Sequence, residues 1–112
     1  MSMDINGYQL DAMRTVRLDM DDASLTTHAV LGMVSEIGEL CGLYQKVYQG
    51  HPFDEQHARK ETGDILWFWA EYCTAMGWWA ADVARENINK LLARYPEGFE
   101  AERSMNREEG DV

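Results

Sequence analysis

Apolar residues recur along this chain at helical spacing, and the recurrence predicts four principal helices. The first begins near Asn6, where Asn6 and Gln9 resemble a capping box, and carries Tyr8, Met13, Val16 and Met20 on roughly one side. Asp19, Asp21 and Asp22 crowd its exit and read as a solvated acidic turn. The second is capped by Ser24 and runs to about Gln49, with Gly50 as its stop. Val30, Met33, Val34, Ile37, Leu40, Tyr44 and Val47 form its apolar stripe. The sequence Gly50-His51-Pro52-Phe53 is a loop, and Asp54 caps a third helix reaching about Met76 before Gly77. The third starts polar and becomes apolar on all sides from Ile65 to Ala70, which predicts burial all round and, for so short a chain, contact with a second subunit. The fourth spans roughly Ala80 to Arg94 and ends before Pro96. Val83, Ile88, Leu91 and Leu92 supply its apolar side, while Asn87, Lys90 and Arg94 share another face. From Glu100 to Val112 the chain is polar and reads as loose unless it docks.

Composition narrows this to one all-α domain over residues 1–112, with a core at about 6–99 and a polar tail at 100–112. A net charge of −10 makes a nucleic-acid backbone an unsuitable partner, although a triphosphate could arrive with Mg2+. Cys41 and Cys73 read as small apolar residues and form neither a disulfide framework nor a zinc pattern. The longest apolar run, Ile65 to Ala70, is far short of the ~20 residues a membrane-spanning helix needs, and the N-terminus lacks the pattern of a signal peptide. The expected location is cytoplasmic, with no membrane partner.

The chemistry concentrates in two acidic pairs, Glu36-x-x-Glu39 on the second helix and Glu61-x-x-Asp64 on the third. A three-residue separation places the members of a pair one turn apart on one face. On a helical wheel, Glu36 and Glu39 fall at the edge of the apolar stripe, where an ionised carboxylate is costly without a compensating cation. Oxygen ligands alone point to Mg2+ or Mn2+ rather than zinc. His28, His51 and His57 do not sit three residues after a glutamate, as a di-iron carboxylate bundle would require. Spacing and wheel position leave two readings open: a metal site between facing helices, or a solvated acidic face. Gly32, beside the glutamates on the wheel, would permit close helix packing or close approach of a ligand; Gly38 and Gly42 suit close packing.

These motifs resemble the MazG-type all-α nucleoside triphosphate pyrophosphohydrolases, whose pattern is Glu-x-x-Glu, a spacer, then Glu-x-x-Asp. The stretches YQLDAMRT, LGMVSEIGEL, KETGDILWF and NINKLLARYPEGF carry the likeness across most of residues 8 to 107. It is strongest with the short stand-alone members; Trp78-Trp79 departs from the smaller or polar residues expected there. The resemblance implies a four-to-five-helix bundle, oligomeric as a homodimer or homotetramer, that converts (d)NTP and water to (d)NMP and diphosphate in nucleotide-pool house-cleaning or regulation. It implies that Glu36, Glu39, Glu61 and Asp64 hold Mg2+ (or Mn2+) and carry catalysis. It implies that Lys90 and Arg94 hold phosphate oxygens, and that Asn87 and Tyr95 line the nucleotide site. Lys46, two turns beyond Glu39, reads equally as a phosphate contact or a surface residue. Two alternatives stand beside this: a helical oligomerisation or nucleotide-sensing module with a non-catalytic site, and an activity like that of phosphoribosyl-ATP pyrophosphohydrolases.

Overall fold

The local chemistry of a few turn residues sets where the helices stop. In the computed structural model, which describes residues 3–112, the order is α1 (Ile5–Ala12), a 3-10 turn (Met13–Thr15), α2 (Asp22–Tyr48), α3 (Glu55–Ala75), α4 (Ala80–Arg94) and α5 (Ala101–Met105). The all-α expectation is met. Gly50 and Gly77 adopt φ of 98° and 77°, the left-handed conformation that closes a helix C-terminus. After α2, His51 N donates to Lys46 O and Gly50 N to Val47 O; after α3, Trp78 N donates to Cys73 O and Gly77 N to Thr74 O. Each helix thus ends in the paired bonds of a Schellman motif. Pro96 has no N–H to offer, and α4 ends at Arg94 as its position requires.

The chain divides into two compact units, Met1–Ala80 and Ala81–Val112, each described on its own. The first is built on a helical hairpin: α2 and α3 make its main packing contact, and α1 lies against α3. Small residues let these helices approach closely. Ala29, Ala70 and Ala80 are fully buried, with Ala12, Leu43 and Cys73 around them. At Gly32 the approach leaves no room for a methyl group: a Cβ there would lie 2.2 Å from the ring of Phe68. Phe68 in turn packs edge-on against Trp67, with ring centroids 5.1 Å apart, and tilts against His28 at 5.7 Å.

Three start signals fall elsewhere than the sequence reading put them. Asp4, not Asn6, caps α1, its carboxylate accepting from Gly7 N. Gln9, read as half of a capping box, is instead buried and reaches across the unit. Its amide group donates to Thr74 Oγ1 and Trp78 O, and its carbonyl accepts from Ala80 N. The first helix also stops well before Met20. The Thr15 hydroxyl donates to Ala12 O, and the indole N–H of Trp67 donates to both oxygens, so the broken helix end is satisfied. Asp21 rather than Ser24 caps α2, with its carboxylate accepting from Ser24 N. Asp54 caps α3 as expected, accepting from His57 N.

Within the chain the apolar run of α3 is covered only in part. Ala70 is buried, Ile65, Trp67, Phe68 and Trp69 are half-buried, and only Leu66 is exposed. The broad apolar exposure lies on α2, where Leu31 and Val34 are 64% and 65% exposed and Val30, Ile37, Tyr44 and Val47 join them. A Cβ at Gly38 or Gly42 on the same helix would meet nothing within 4 Å, so neither glycine packs against this chain. Trp78 and Trp79 are about half-exposed, and Trp78 sits edge-on to Tyr72.

In the second unit the tail is not loose. It forms α5 and returns to α4, where Arg94 and Asp111 make a two-point ion pair.

Candidate metal centre

The α2–α3 hairpin brings Glu36 of the first acidic pair beside both members of the second. Glu36, Glu61 and Asp64 each offer a carboxylate oxygen, and these oxygens all lie within 4.8 Å of one another. Glu61 is buried, Glu36 half-buried and Asp64 exposed, so the group opens from the helix interface toward solvent. Glu39 is exposed and stands outside this trio, yet its charge still acts on Glu36.

Crowding alters the acid strengths. Glu36 is pushed up from an ordinary value of 4.5 to about 7, first by the hydrogen bond it shares with Glu61. Burial and the negative charges of Glu61, Asp64 and Glu39 push the same way. Glu61 is held low by the proton shared with Glu36 and by His57, whose Nε2 lies 2.9 Å from Glu61 Oε1. Without a cation, then, the crowding shows as a raised proton affinity at Glu36. The phenol of Tyr8 is also raised, mainly by burial and then by the charge on Asp64, which places α1 within electrostatic reach of the group.

The other oxygen of Glu61, Oε2, is buried and has no hydrogen-bond partner. A buried carboxylate oxygen without a donor costs on the order of 1–3 kcal/mol, more when charged. A hard divalent cation answers both problems, since it takes oxygen ligands alone and replaces the shared proton with positive charge. The donor set therefore fits Mg2+ or Mn2+ and lacks the thiolate and imidazole ligands typical of zinc.

His57 escaped the sequence reading, which tested histidines only for a three-residue spacing. The signal was the four-residue step from His57 to Glu61, which puts imidazole and carboxylate one turn apart. A histidine bonded to one oxygen of a ligating carboxylate fixes the direction of the other. A second buried carboxylate was also missed. Glu71 is 1% exposed, takes a 2.6 Å contact from His28 Nδ1, and leaves its own Oε2 without a partner.

Lys46 is exposed on α2 and lines a cavity of about 470 Å3 with Leu43, His51, Phe53, Asp54 and His57. It stands on the same cavity wall as the histidine that supports Glu61. Asn87, Lys90, Arg94 and Tyr95 all belong to the second unit. Asn87 and Lys90 are exposed. Arg94 is held by Asp111, and its guanidinium carbon lies 5.9 Å from the centre of the Tyr95 ring. Among the described residues no helix is long and apolar enough to cross a membrane.

The model of the MazG nucleotide pyrophosphohydrolase domain family matches residues 25–99, a stretch that contains all four acidic positions and the whole of α4. The chain is similar to the Gene 37 protein of Mycobacterium phage L5, with 25% identity over 105 residues, covering 86% of this chain and 92% of the phage protein. No solved structure matches.

Proposed function

Because the chain belongs to the MazG nucleotide pyrophosphohydrolase family, we propose that it is a Mg2+-dependent nucleoside triphosphate pyrophosphohydrolase. The reaction is (d)NTP plus water to (d)NMP plus diphosphate, in which the α-phosphorus gains a bond to the water oxygen and loses its bond to the bridging oxygen of the β-phosphate. One observation carries the reading: three carboxylates from facing helices each bring an oxygen to within 4.8 Å of the others, and among the described residues the buried Glu61 Oε2 has no hydrogen-bond partner.

Glu36, Glu61 and Asp64 hold the metal, with Glu39 adding charge to the same face and available as a further ligand. The metal, when bound, supplies positive charge to phosphate oxygens and acidifies water. A carboxylate of the first acidic pair, Glu36 or Glu39, accepts the proton of the attacking water. His57 keeps Glu61 aimed at the group. Lys90 and Arg94 hold phosphate oxygens and offset charge on the leaving diphosphate, Asn87 and Tyr95 line the nucleotide site, and Lys46 is a further phosphate contact. Mn2+ substitutes for Mg2+. The setting is cytoplasmic house-cleaning or regulation of nucleotide pools.

The assembly is a homodimer or homotetramer. Its support is the exposed apolar face of α2, interrupted by Gly38 and Gly42, which could admit a second helix at close range.

The test is diphosphate release from a panel of canonical and modified NTPs and dNTPs, with and without Mg2+. Metal-dependent release from one or a few nucleotides is the expected result. Silence across the panel from folded protein, with no thermal stabilisation by millimolar Mg2+, would overturn the enzymatic reading in favour of a structural or sensing module. In labelled water, the heavy oxygen should enter a single product.

A further inference from the structure

The second unit encloses a cavity of about 280 Å3 whose walls are mainly cationic. Lys90 and Arg94 come from α4, Arg103 from α5 and Arg107 from the segment that follows. These are four of the chain's ten basic residues, gathered in a protein of net charge −10. Its size is near the lower end of small-ligand cavities, roughly 300 Å3 and upward. A phosphate chain fits that space better than a whole nucleotide does.

The cavity already has an anion in it, and the anion belongs to the chain. Arg94 Nε donates to Asp111 Oδ2 at 2.8 Å and Nη2 to Oδ1 at 2.6 Å. This is the two-point fork that a guanidinium offers equally to a carboxylate or a phosphate. The side chains are 10% and 18% exposed, so the pair is largely withdrawn from water. Arg94, Arg107 and Lys90 all help to hold the Asp111 carboxyl below its ordinary value. Glu108 lines the cavity as well, and Glu100 lies 3.5 Å from Arg103. Four cations thus face three carboxylates, leaving one positive charge in surplus, which becomes two when Asp111 departs. Asp111 is carried outside any helix, on a turn in which its N–H donates to Glu108 O. Its departure breaks no helical hydrogen bond.

We propose that this cavity is an oxyanion site for a polyphosphate, that Arg103 and Arg107 bind it together with Lys90 and Arg94, and that Asp111 is its built-in competitor. Naming the ligand a polyphosphate rests on the function proposed above; the self-occupied state of the cavity does not. Incoming phosphate oxygens take the donors of Arg94 as the Asp111 carboxylate swings out. The apparent affinity is lowered by the fraction of molecules in which Asp111 sits on Arg94.

The experiment is calorimetric titration of the full chain with inorganic diphosphate in the presence of a chelator, so that the carboxylate site cannot contribute. Asp111→Ala should bind diphosphate about ten-fold more tightly than the unaltered chain, a gain of about 1.4 kcal/mol. Asp111→Asn keeps the shape, removes the charge, and should shift affinity in the same direction. The double variant Arg103→Gln/Arg107→Gln should bind several-fold more weakly, with a shallower dependence on salt. Unchanged or weaker binding in both Asp111 variants, with helicity retained in Asp111→Asn, overturns the proposal. Mg2+-dependent nucleotide turnover, measured on the same proteins, separates the two readings. Turnover without any Asp111 effect on diphosphate binding leaves the enzyme and removes the competitor. Asp111-dependent binding without turnover of any nucleotide does the reverse.

Discussion

The acidic cluster of the first unit and the basic cavity of the second solve the same electrostatic problem in opposite ways. Each gathers like charges that repel one another. In the cavity the chain supplies its own counter-charge, and Asp111 meets Arg94 with both oxygens engaged. In the cluster it does not: the crowding pushes the Glu36 carboxyl up, and Glu61 Oε2 is buried without a donor. The lesson concerns where external ligands are needed. A site that carries its own counter-ion can be entered only by competing with it, whereas one left without a counter-ion is open to an ion from solution.

The largest expected effect comes from removing the incomplete side. Glu61→Gln should reduce Mg2+-dependent turnover by about a thousand-fold or more, on the scale of losing metal-assisted charge stabilisation. Glu39→Gln, outside the trio, should cost clearly less; equal losses in the two variants, measured as kcat/KM, would make Glu39 a full member of the centre. Next comes the support of Glu61. His57→Ala should weaken Mg2+ binding by roughly ten- to a hundred-fold while leaving helicity intact, as loss of a histidine that orients a ligand does. Calorimetry with Mg2+ alone would check this, and unaltered affinity would reduce His57 to a surface residue. Third, Gly32→Ala should destabilise the hairpin by about 1–3 kcal/mol through overpacking against Phe68. Denaturant unfolding measures the loss, and Gly32→Ala/Phe68→Leu should restore part of it. An undiminished midpoint for Gly32→Ala would show that the helices have slack beside the cluster.

The smallest effect is a dependence on pH. The folded chain binds a proton at Glu36 more tightly than the unfolded chain does, since the group moves from 4.5 up to about 7. Stability from that proton is complete below 4.5 and is lost as pH rises through about 7. Asp19, Asp21, Asp111 and Glu61 shift downward instead, so the stability they add is already present above pH 5. The midpoint of thermal unfolding of metal-free protein should therefore fall between pH 5 and pH 8, and saturating Mg2+ should cancel the fall. A flat metal-free profile would show that the carboxylates are not crowded in solution.

Much of this was legible in the sequence where the cause is local. Gly50, Gly77 and Pro96 end helices through their own backbone restrictions, so those boundaries fell within a residue or two of expectation. The acidic pairs were legible because helical periodicity fixes which residues share a face, and facing helices then bring the faces together. What stayed hidden depends on partners distant in sequence. Gln9 looked like a cap because nothing nearby reveals that Thr74, Trp78 and Ala80 claim it. The early stop of the first helix is likewise backed by a distant partner, since Trp67 joins Thr15 in donating to Ala12 O. Asp111 lay in a stretch too polar to suggest structure, and its partner Arg94 had already been given to the ligand. The apolar run of α3 misdirected the search for exposed surface, because hydrophobicity says what prefers burial and not which neighbour provides it.

Gln9 also bears on the order in which the first unit assembles and comes apart. The α2–α3 hairpin joins neighbours in sequence and can form early, at little cost in loop closure. Gln9 closes connections over 65, 69 and 71 residues with one side chain, so α1 docks only once the end of α3 is in place. In the native protein the same geometry makes α1 the first element to detach. Amide hydrogens of residues 5–12 should exchange with solvent ahead of those in the middle of α2 and α3, as one cooperative segment rather than residue by residue. Since Tyr8 rides on that segment, each such opening would also relieve its phenol of the burial and the Asp64 charge that raise its pKa.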